Sequence, residues 1–314
     1  MVMGPYRVAI TARTFDRGGV AFSLLQQECR ISFINSKGRH LSEDEIISAL
    51  KDADAVIAGT EKFTPRILDM AQSLRVISRI GVGTDNIDTQ FAQQRGIAVY
   101  NTPDSPSRAV AEHTIGLLFS AAKRIPAYNK NMREGLFITI PGLQVSGKSA
   151  GIIGLGRIGR QVASLLSCLG CHIGFFDSFI KSGSIVPGWQ QYESLEDLVR
   201  SSDIISIHAA AGHDSAPLLD RHILNLCRKN CIIINTSRGS LLDETALLEG
   251  LDSGQIFAAG LDVFRNEPYN GPLLRHPAVI ATPHVASNTV ESRRLMEMEA
   301  VRNIITSKGG QTGL

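Results

Sequence analysis

The sequence predicts an α/β protein made of two doubly wound parallel-sheet domains. Three observations carry this. Short apolar runs alternate with helix-like segments along nearly the whole chain, and a β, α, β alternation implies parallel strands covered on both faces. At 314 residues the chain is long for one core and fits two at about 150 residues each. The strand-like runs also fall into two groups, one before residue 101 and one from 150 onward, separated by the proline-rich opening of "NTPDSPSRAVAEHTIGLLFSAAKRIPAYNK".

In the first group "YRVAIT" (6–11), "AVIA" (55–58) and "RVISRI" (75–80) read as strands, and Ser42 with Glu45 has the capping-box spacing of a helix start. "RAVAEHTIGLLFSAAKR" then reads as one long, largely buried helix. The second group runs "AGIIG" (150–154), "HIGFF" (172–176), "DIISIH" (203–208), "CIIIN" (231–235), "IFAAG" (256–260) and a last "AVIA" (278–281). Helix starts are marked here by Ser194 with Asp197 and by Asp243 ahead of "ETALLEGL". The final helix, "VESRRLMEMEAVRNIITS", comes too late to cover the second sheet in normal order and is expected to return to the first domain. The expected domains are therefore 1–101 with 287–314, and 102–286.

Composition narrows the class. Hydrophobic residues at 43% and charged residues at 20% are ordinary for a globular protein. No apolar run approaches the roughly 18 residues that span a bilayer, and "MVMGPYRVAITART" lacks the pattern of a secretory signal, so no membrane partner and a cytoplasmic location are expected. A net charge of +2 with scattered basic residues argues against nucleic acid. "CLGCH" (Cys168, Cys171, His172) has the spacing of covalent haem attachment, and Cys227 with Cys231 would complete a zinc set on paper. Yet Cys168 falls at a helix end, Gly170 suits the C-cap and Cys171 opens the next strand, so no metal is expected.

Chemistry enters at Gly154, Gly156 and Gly159, a G-x-G-x-x-G turn between the strand "AGIIG" and a helix opening at Arg157 and Ile158. The first glycine permits a tight turn, the second lets backbone N–H groups approach a pyrophosphate, and the third lets the helix sit close to its strand. With 17 residues (160–176) between it and Gly159, Asp177 stands where a carboxylate accepts hydrogen bonds from an adenosine ribose. Ser178 and Phe179 follow it and no arginine waits for a 2′-phosphate, which favours NAD over NADP and makes this a Rossmann-type NAD domain.

In doubly wound sheets, ligands bind beyond the carboxyl ends of the strands. His208, the run Asn235 to Gly239 with Thr236 and Arg238, the run Asp262 to Glu267, and the run Thr282 to His284 all follow strands. Each alone has a structural alternative, such as a surface ion pair or a satisfied buried histidine. Their shared rim makes them a candidate site.

"NTSRGSLLDETAL", "GLDVFRNEP" and "TPHVAS", in that order behind "GIIGLGRIG", resemble the D-isomer-specific 2-hydroxyacid dehydrogenase family from about Leu74 to Thr289. In length and motif style the nearest members are 3-phosphoglycerate dehydrogenases without an appended regulatory domain. The resemblance implies a flavodoxin-like substrate domain into which the NAD domain is inserted, with "SRIGVGTDNID" (78–88) facing the nicotinamide across a cleft. It implies hydride transfer between NAD(H) and a small 2-oxo or D-2-hydroxy acid, in a homodimer joined through the cofactor domains. His284 would be the general acid. Glu267 would orient it and favour its protonated form. Arg238 would grip the substrate carboxylate at two points, with backbone N–H groups of the Ile80 to Gly83 turn, Val82 and Gly83 among them, on its other side. Asp262 would sit near the nicotinamide carboxamide, and Thr236 and His208 would line the cofactor's path; Arg238 and His284 would border it too.

The chain also departs from the family pattern. "HAAAGHDS" lacks the proline common two residues after His208, with His213 an unusual contributor there, and "GLFITIPGLQVSGKS" lacks a frequent tryptophan. "AGTEKF" lacks the arginine that binds phosphate in phosphoglycerate dehydrogenases, leaving Arg79, Arg108 and Lys62 as substitutes or as structural residues. Phosphohydroxypyruvate, hydroxypyruvate and glyoxylate therefore all stay open as substrates. Formate dehydrogenases resemble this pattern with glutamine in place of Glu267, and that argues against them. A second class, an NAD-sensing corepressor or binding protein, can keep Arg238, Glu267 and His284.

Overall fold

The structure, a computed structural model, describes residues 5–180, 187–211 and 216–307. The chain divides into two compact units, with breaks at Pro106/Ser107 and Ala286/Ser287.

The first unit holds strands β1 (Arg7–Ile10), β2 (Arg30–Ile34), β3 (Ala55–Ala58), β4 (Val76–Arg79) and β5 (Ala98–Tyr100). All pair in parallel, in the order β2-β1-β3-β4-β5. That is the flavodoxin-like doubly wound order. Successive strand residues point to opposite faces, and the two faces feed two cores. Val8, Ile10, Ala55, Ile57 and Val76 join Leu25 and the Ala300, Val301 and Ile304 of the final helix, Val290–Ser307. Ala9, Val56, Ala58, Ile77 and Val99 join Ile46, Leu50, Ile67 and Leu68 on the other side. The last helix thus belongs to the first unit. Asn303 Nδ2 secures it further by donating to the Asn101 carbonyl at 3.1 Å.

The second unit holds β6 (Ser149–Ile153), β7 (His172–Phe176), β8 (Gln190–Gln191), β9 (Ile204–Ile207), β10 (Cys231–Asn235), β11 (Ile256–Leu261) and β12 (Val279–Ala281). Their order, β12-β11-β10-β9-β6-β7-β8, is the Rossmann arrangement with β12 added at one edge. Isoleucines alternate between faces here too: Ile153, Ile205, Ile207 and Ile233 enter one core, and Ile152, Ile204, Ile232 and Ile234 the other. Each such side chain, fully buried, contributes roughly 1.5–3 kcal/mol. The helix Ser107–Ala122 covers the second face with Ala111, Leu117, Leu118 and Ala121. Gly260 lets it approach, since a Cβ there would lie 2.9 Å from that of Leu117.

Three strands had no clear sequence signal. Arg30–Ile34 is an edge strand with no fully buried residue, Ala98–Tyr100 has three residues and Gln190–Gln191 only two. Pairing with neighbours defines them more than their own residues do.

The expected caps are present. Ser42 and Glu45 form a reciprocal capping box, Asp243 accepts the Thr245 and Ala246 N–H groups at 3.0 Å, and Ser194 accepts that of Asp197 at 3.1 Å. Gly170 takes φ +81° in a Schellman ending, its N–H bonded to Ser167 O at 2.9 Å and that of Cys171 to Leu166 O at 3.0 Å. "CLGCH" is thereby accounted for: Cys168 is exposed, whereas Cys171 is buried with its thiol on the Val145 carbonyl at 3.4 Å. Among the described residues no group of three or more His, Cys, Asp or Glu is placed to hold a metal, and no helix is long and apolar enough to cross a membrane.

Candidate functional site

Beyond β6 the chain turns at Gly154, with φ +88°. A Cβ there would lie 2.6 Å from Ala209 N and 2.8 Å from the His208 carbonyl carbon, so this glycine also admits the loop after β9. A Cβ on Gly159 would strike the Gly154 carbonyl oxygen, which fixes the close seating of the helix Arg157–Cys168 on its strand. Gly156 is that helix's N-cap, with no side-chain cap and nothing within 4 Å of its would-be Cβ. Helices leave their first N–H groups without intrahelical partners, and these gather partial positive charge. This helix start, with open space at the Gly156 Cβ position, is a cradle that fits a dinucleotide pyrophosphate. Asp177 ends β7 and braces the turn: Oδ2 accepts the Leu155 N–H at 2.7 Å and Oδ1 that of Phe179 at 2.8 Å. Each oxygen keeps acceptor capacity for ribose hydroxyls.

His208 follows β9, its Nε2 2.8 Å from Ser206 Oγ. Burial pushes its pKa down to about 3, so the ring is neutral and offers a hydrogen bond but no charge. His213 lies outside the described residues. Thr236, after β10, is buried with its hydroxyl 2.9 Å from that of Thr114.

Arg238 sits half-buried in the same loop, its Nη1 on the Ser237 carbonyl at 2.7 Å. Asn235, fully buried, shapes this turn by accepting from Ser237 N and Oγ and donating to the Arg238 carbonyl at 2.9 Å. A Cβ on Gly239 would overlap the Phe264–Arg265 backbone. Glycine at 239 therefore lets the arginine loop press against the loop that carries Glu267.

His284 and Glu267 meet. His284 Nδ1 lies 2.8 Å from Glu267 Oε2, while Glu267 Oε1 accepts the Phe264 N–H at 3.1 Å. Burial tends to raise the Glu267 pKa, but the hydrogen bond and charge of His284 and the Phe264 N–H outweigh it and hold the carboxyl below its ordinary range. An ionised carboxylate only accepts, so Nδ1 carries hydrogen and Nε2 is the nitrogen left to exchange a proton. The imidazole is 44% exposed and can reach a ligand. Its backbone is left-handed, φ +53°, a conformation that costs a non-glycine residue about 1–2 kcal/mol. Asp262, fully buried, holds it: the Asp262 carbonyl accepts the His284 N–H at 2.8 Å, and its carboxylate accepts those of Val285 and Ala286 at 2.8 Å. For Asp262, too, burial pushes the pKa up, and hydrogen bonds from His113, Thr282 and these two N–H groups more than reverse it.

In the first unit the Ile80 to Gly83 turn differs from expectation. The Ile80 N–H is bonded to Ala58 O at 2.9 Å and that of Gly81 to Thr102 Oγ1 at 2.7 Å. Because β4 continues its ladder and Thr102 fills the next position, two of this turn's four N–H groups are taken, which leaves those of Val82 and Gly83. Gly81 has φ +127°, and a Cβ there would run into the Arg79 guanidinium. Arg108 pairs with Glu112 at 2.7 Å on its helix and Lys62 is exposed.

Cradle, arginine loop and His284–Glu267 pair all lie beyond the carboxyl ends of strands of one sheet. The close approach that Gly239 permits and the supports Thr114 and His113 had not been read from the sequence. Only "EHT" within a buried helix hinted at the last two.

A family model described as the NAD binding domain of D-isomer specific 2-hydroxyacid dehydrogenases matches residues 115–286. The D-3-phosphoglycerate dehydrogenase of Methanocaldococcus jannaschii is 38% identical over 260 residues, covering 81% of this chain but 49% of that protein. The chain spans about half the length of the D-3-phosphoglycerate dehydrogenases it matches. The hydroxypyruvate reductase of Thermotoga maritima is 32% identical over 314 residues, 98% of this chain and 100% of that one. Among solved structures, a glyoxylate reductase from Paecilomyes thermophila superposes with a TM-score of 0.88 at 25% identity, over 99% of this chain and 98% of that one. With that model over more than half its length, and the glycine turn, arginine loop and histidine–glutamate pair in family order, the chain belongs to the D-isomer specific 2-hydroxyacid dehydrogenase family.

Proposed function

We propose that the protein is an NAD-dependent oxidoreductase that reduces a small 2-oxo acid to the D-2-hydroxy acid and catalyses the reverse oxidation. The observation that carries this reading is the 2.8 Å His284–Glu267 pair on the same sheet rim as the glycine cradle. When bound, the nicotinamide supplies a hydride to the carbonyl carbon. The chain's residues do the rest. Gly154, Gly156, Arg157, Ile158 and Gly159 hold the pyrophosphate, and the Asp177 carboxylate takes the ribose hydroxyls while repelling a 2′-phosphate, which selects NAD. Thr236, His208 and Asp262 border the cofactor. Arg238 grips the substrate carboxylate with two parallel N–H donors. His284 passes its Nε2 proton to the carbonyl oxygen, while Nδ1–H stays on Glu267; in the oxidative direction it takes the proton back.

The relatives' names point to 3-phosphohydroxypyruvate, hydroxypyruvate and glyoxylate as the substrates to try. Purified protein given NADH and this panel is expected to consume NADH with at least one of them. NADH binding without turnover of any would support a cofactor-sensing protein instead.

We also propose a homodimer. Met132, Leu136, Phe137, Ile138 and Ile140 are all exposed, Phe137 by 88%, and a run of apolar side chains facing water marks an interaction surface. Light scattering is expected to give twice the 34.0 kDa chain mass, and Phe137→Asp to shift the protein toward monomer. A monomeric parent would contradict this.

A further inference from the structure

The helix Ser107–Ala122 presents two adjacent polar residues to the strand-end loops. Thr114 donates its hydroxyl proton to the Val110 carbonyl at 2.8 Å, so it accepts from Thr236 at 2.9 Å. His113 reaches further along the rim, its Nε2 3.0 Å from Thr282 Oγ1 and 3.6 Å from Asp262 Oδ1. Thr282 gives its only hydroxyl proton to Asp262 Oδ1 at 2.6 Å, so His113 Nε2 carries a hydrogen and donates it. The bonds that fix the left-handed His284 backbone and its two successors run to Thr282 and Asp262. His113 is the side chain that holds both.

We propose that His113 is a positioning residue for His284: as an Nε2–H donor it locks Thr282 and, through Thr282, the buried Asp262, which together aim the His284 loop. The idea rests on the dehydrogenase reading only for the identity of His284 as the acid–base group. A hydrophobic side chain of similar size would fill the same space but leave Thr282 Oγ1 without its donor and take a polar neighbour from Asp262. Asp262 would keep the Thr282, Val285 and Ala286 donors, but Thr282 would no longer be held from the helix side, and the loop that depends on the Thr282–Asp262 pair would lose its fixed geometry.

His113→Phe and His113→Gln separate donation from packing, because the glutamine amide can still donate. The groups facing Asp262 are His113 from the helix and the Glu267–His284 pair from the loops. Asp262 titrates below the ordinary carboxylate range, so its contribution to stability is present above the unfolded value and is lost as pH falls through the folded one. Removing the donor raises that folded value, and stability is then lost at higher pH.

His113→Phe is therefore expected to lower kcat about tenfold or more, as mis-aimed catalytic groups do, with KM nearly unchanged. Its Tm should also fall away at a higher pH than the parent's in scans from about pH 2 to 6. His113→Gln should restore both. The proposal is overturned if the phenylalanine variant matches the parent, or if glutamine is as impaired as phenylalanine. Should the parent turn over no 2-oxo acid, the dehydrogenase reading fails separately, and the Tm–pH curves of the two variants still decide whether His113 secures Asp262.

Discussion

His284→Ala is expected to lower kcat by about 10²- to 10⁴-fold, the range that general acid–base catalysis supplies. Carbonyl reduction leaves charge on oxygen unless a proton arrives, and in the proposed mechanism the His284 Nε2 delivers it, with Nδ1 committed to Glu267 at 2.8 Å. The loop backbone is anchored through Asp262 rather than through the imidazole, so the variant should fold. NADH affinity, measured by fluorescence titration, should stay within a few-fold of the parent. A variant that keeps more than a tenth of the parent's kcat would remove His284 from the chemistry.

Arg238→Lys is expected to reduce kcat/KM for the 2-oxo acid by about 10²-fold, close to 3 kcal/mol. Charge is preserved, so the loss isolates geometry: a planar guanidinium offers two parallel donors to a carboxylate, and an ammonium offers a single point. Asn235 and Gly239 fix the loop from its backbone, so the exchange should not disturb the turn. Steady-state kinetics over a range of substrate concentrations would show the effect mainly in KM if the arginine binds ground and transition states alike, and in kcat if it tightens during reaction. Activity within threefold of the parent would assign Arg238 a structural duty.

Much of the fold was legible because parallel strands buried on both faces read as apolar runs, and "CIIIN" or "DIISI" allow little else. The edge strands Arg30–Ile34 and Gln190–Gln191 escaped because half-exposed or two-residue strands carry no such pattern. At the site, Asp177, Arg238, Glu267 and His284 were legible as polar residues ending strands. The role of His113 was not, since its partner Thr282 lies 169 positions away and only the packing of the helix on the sheet brings them together. Gly239 was visible as a glycine, but its reason, the Phe264–Arg265 backbone passing alongside, belongs to tertiary structure. The Ile80 to Gly83 turn gave too many donors for the same cause: a sequence does not reveal that Thr102 already occupies the Gly81 N–H.

The most direct test follows the hydrogen itself. Each 2-oxo acid of the panel would be incubated with the protein and NADH stereospecifically deuterated at C4, in turn on each face, and the product analysed by mass spectrometry and chiral chromatography. The account predicts that one face's deuterium appears at C2 of a D-2-hydroxy acid, and that His284→Ala slows the transfer by the same factor, about 10²- to 10⁴-fold. NADH bound tightly by a correctly folded protein, with no label reaching any product, would contradict it.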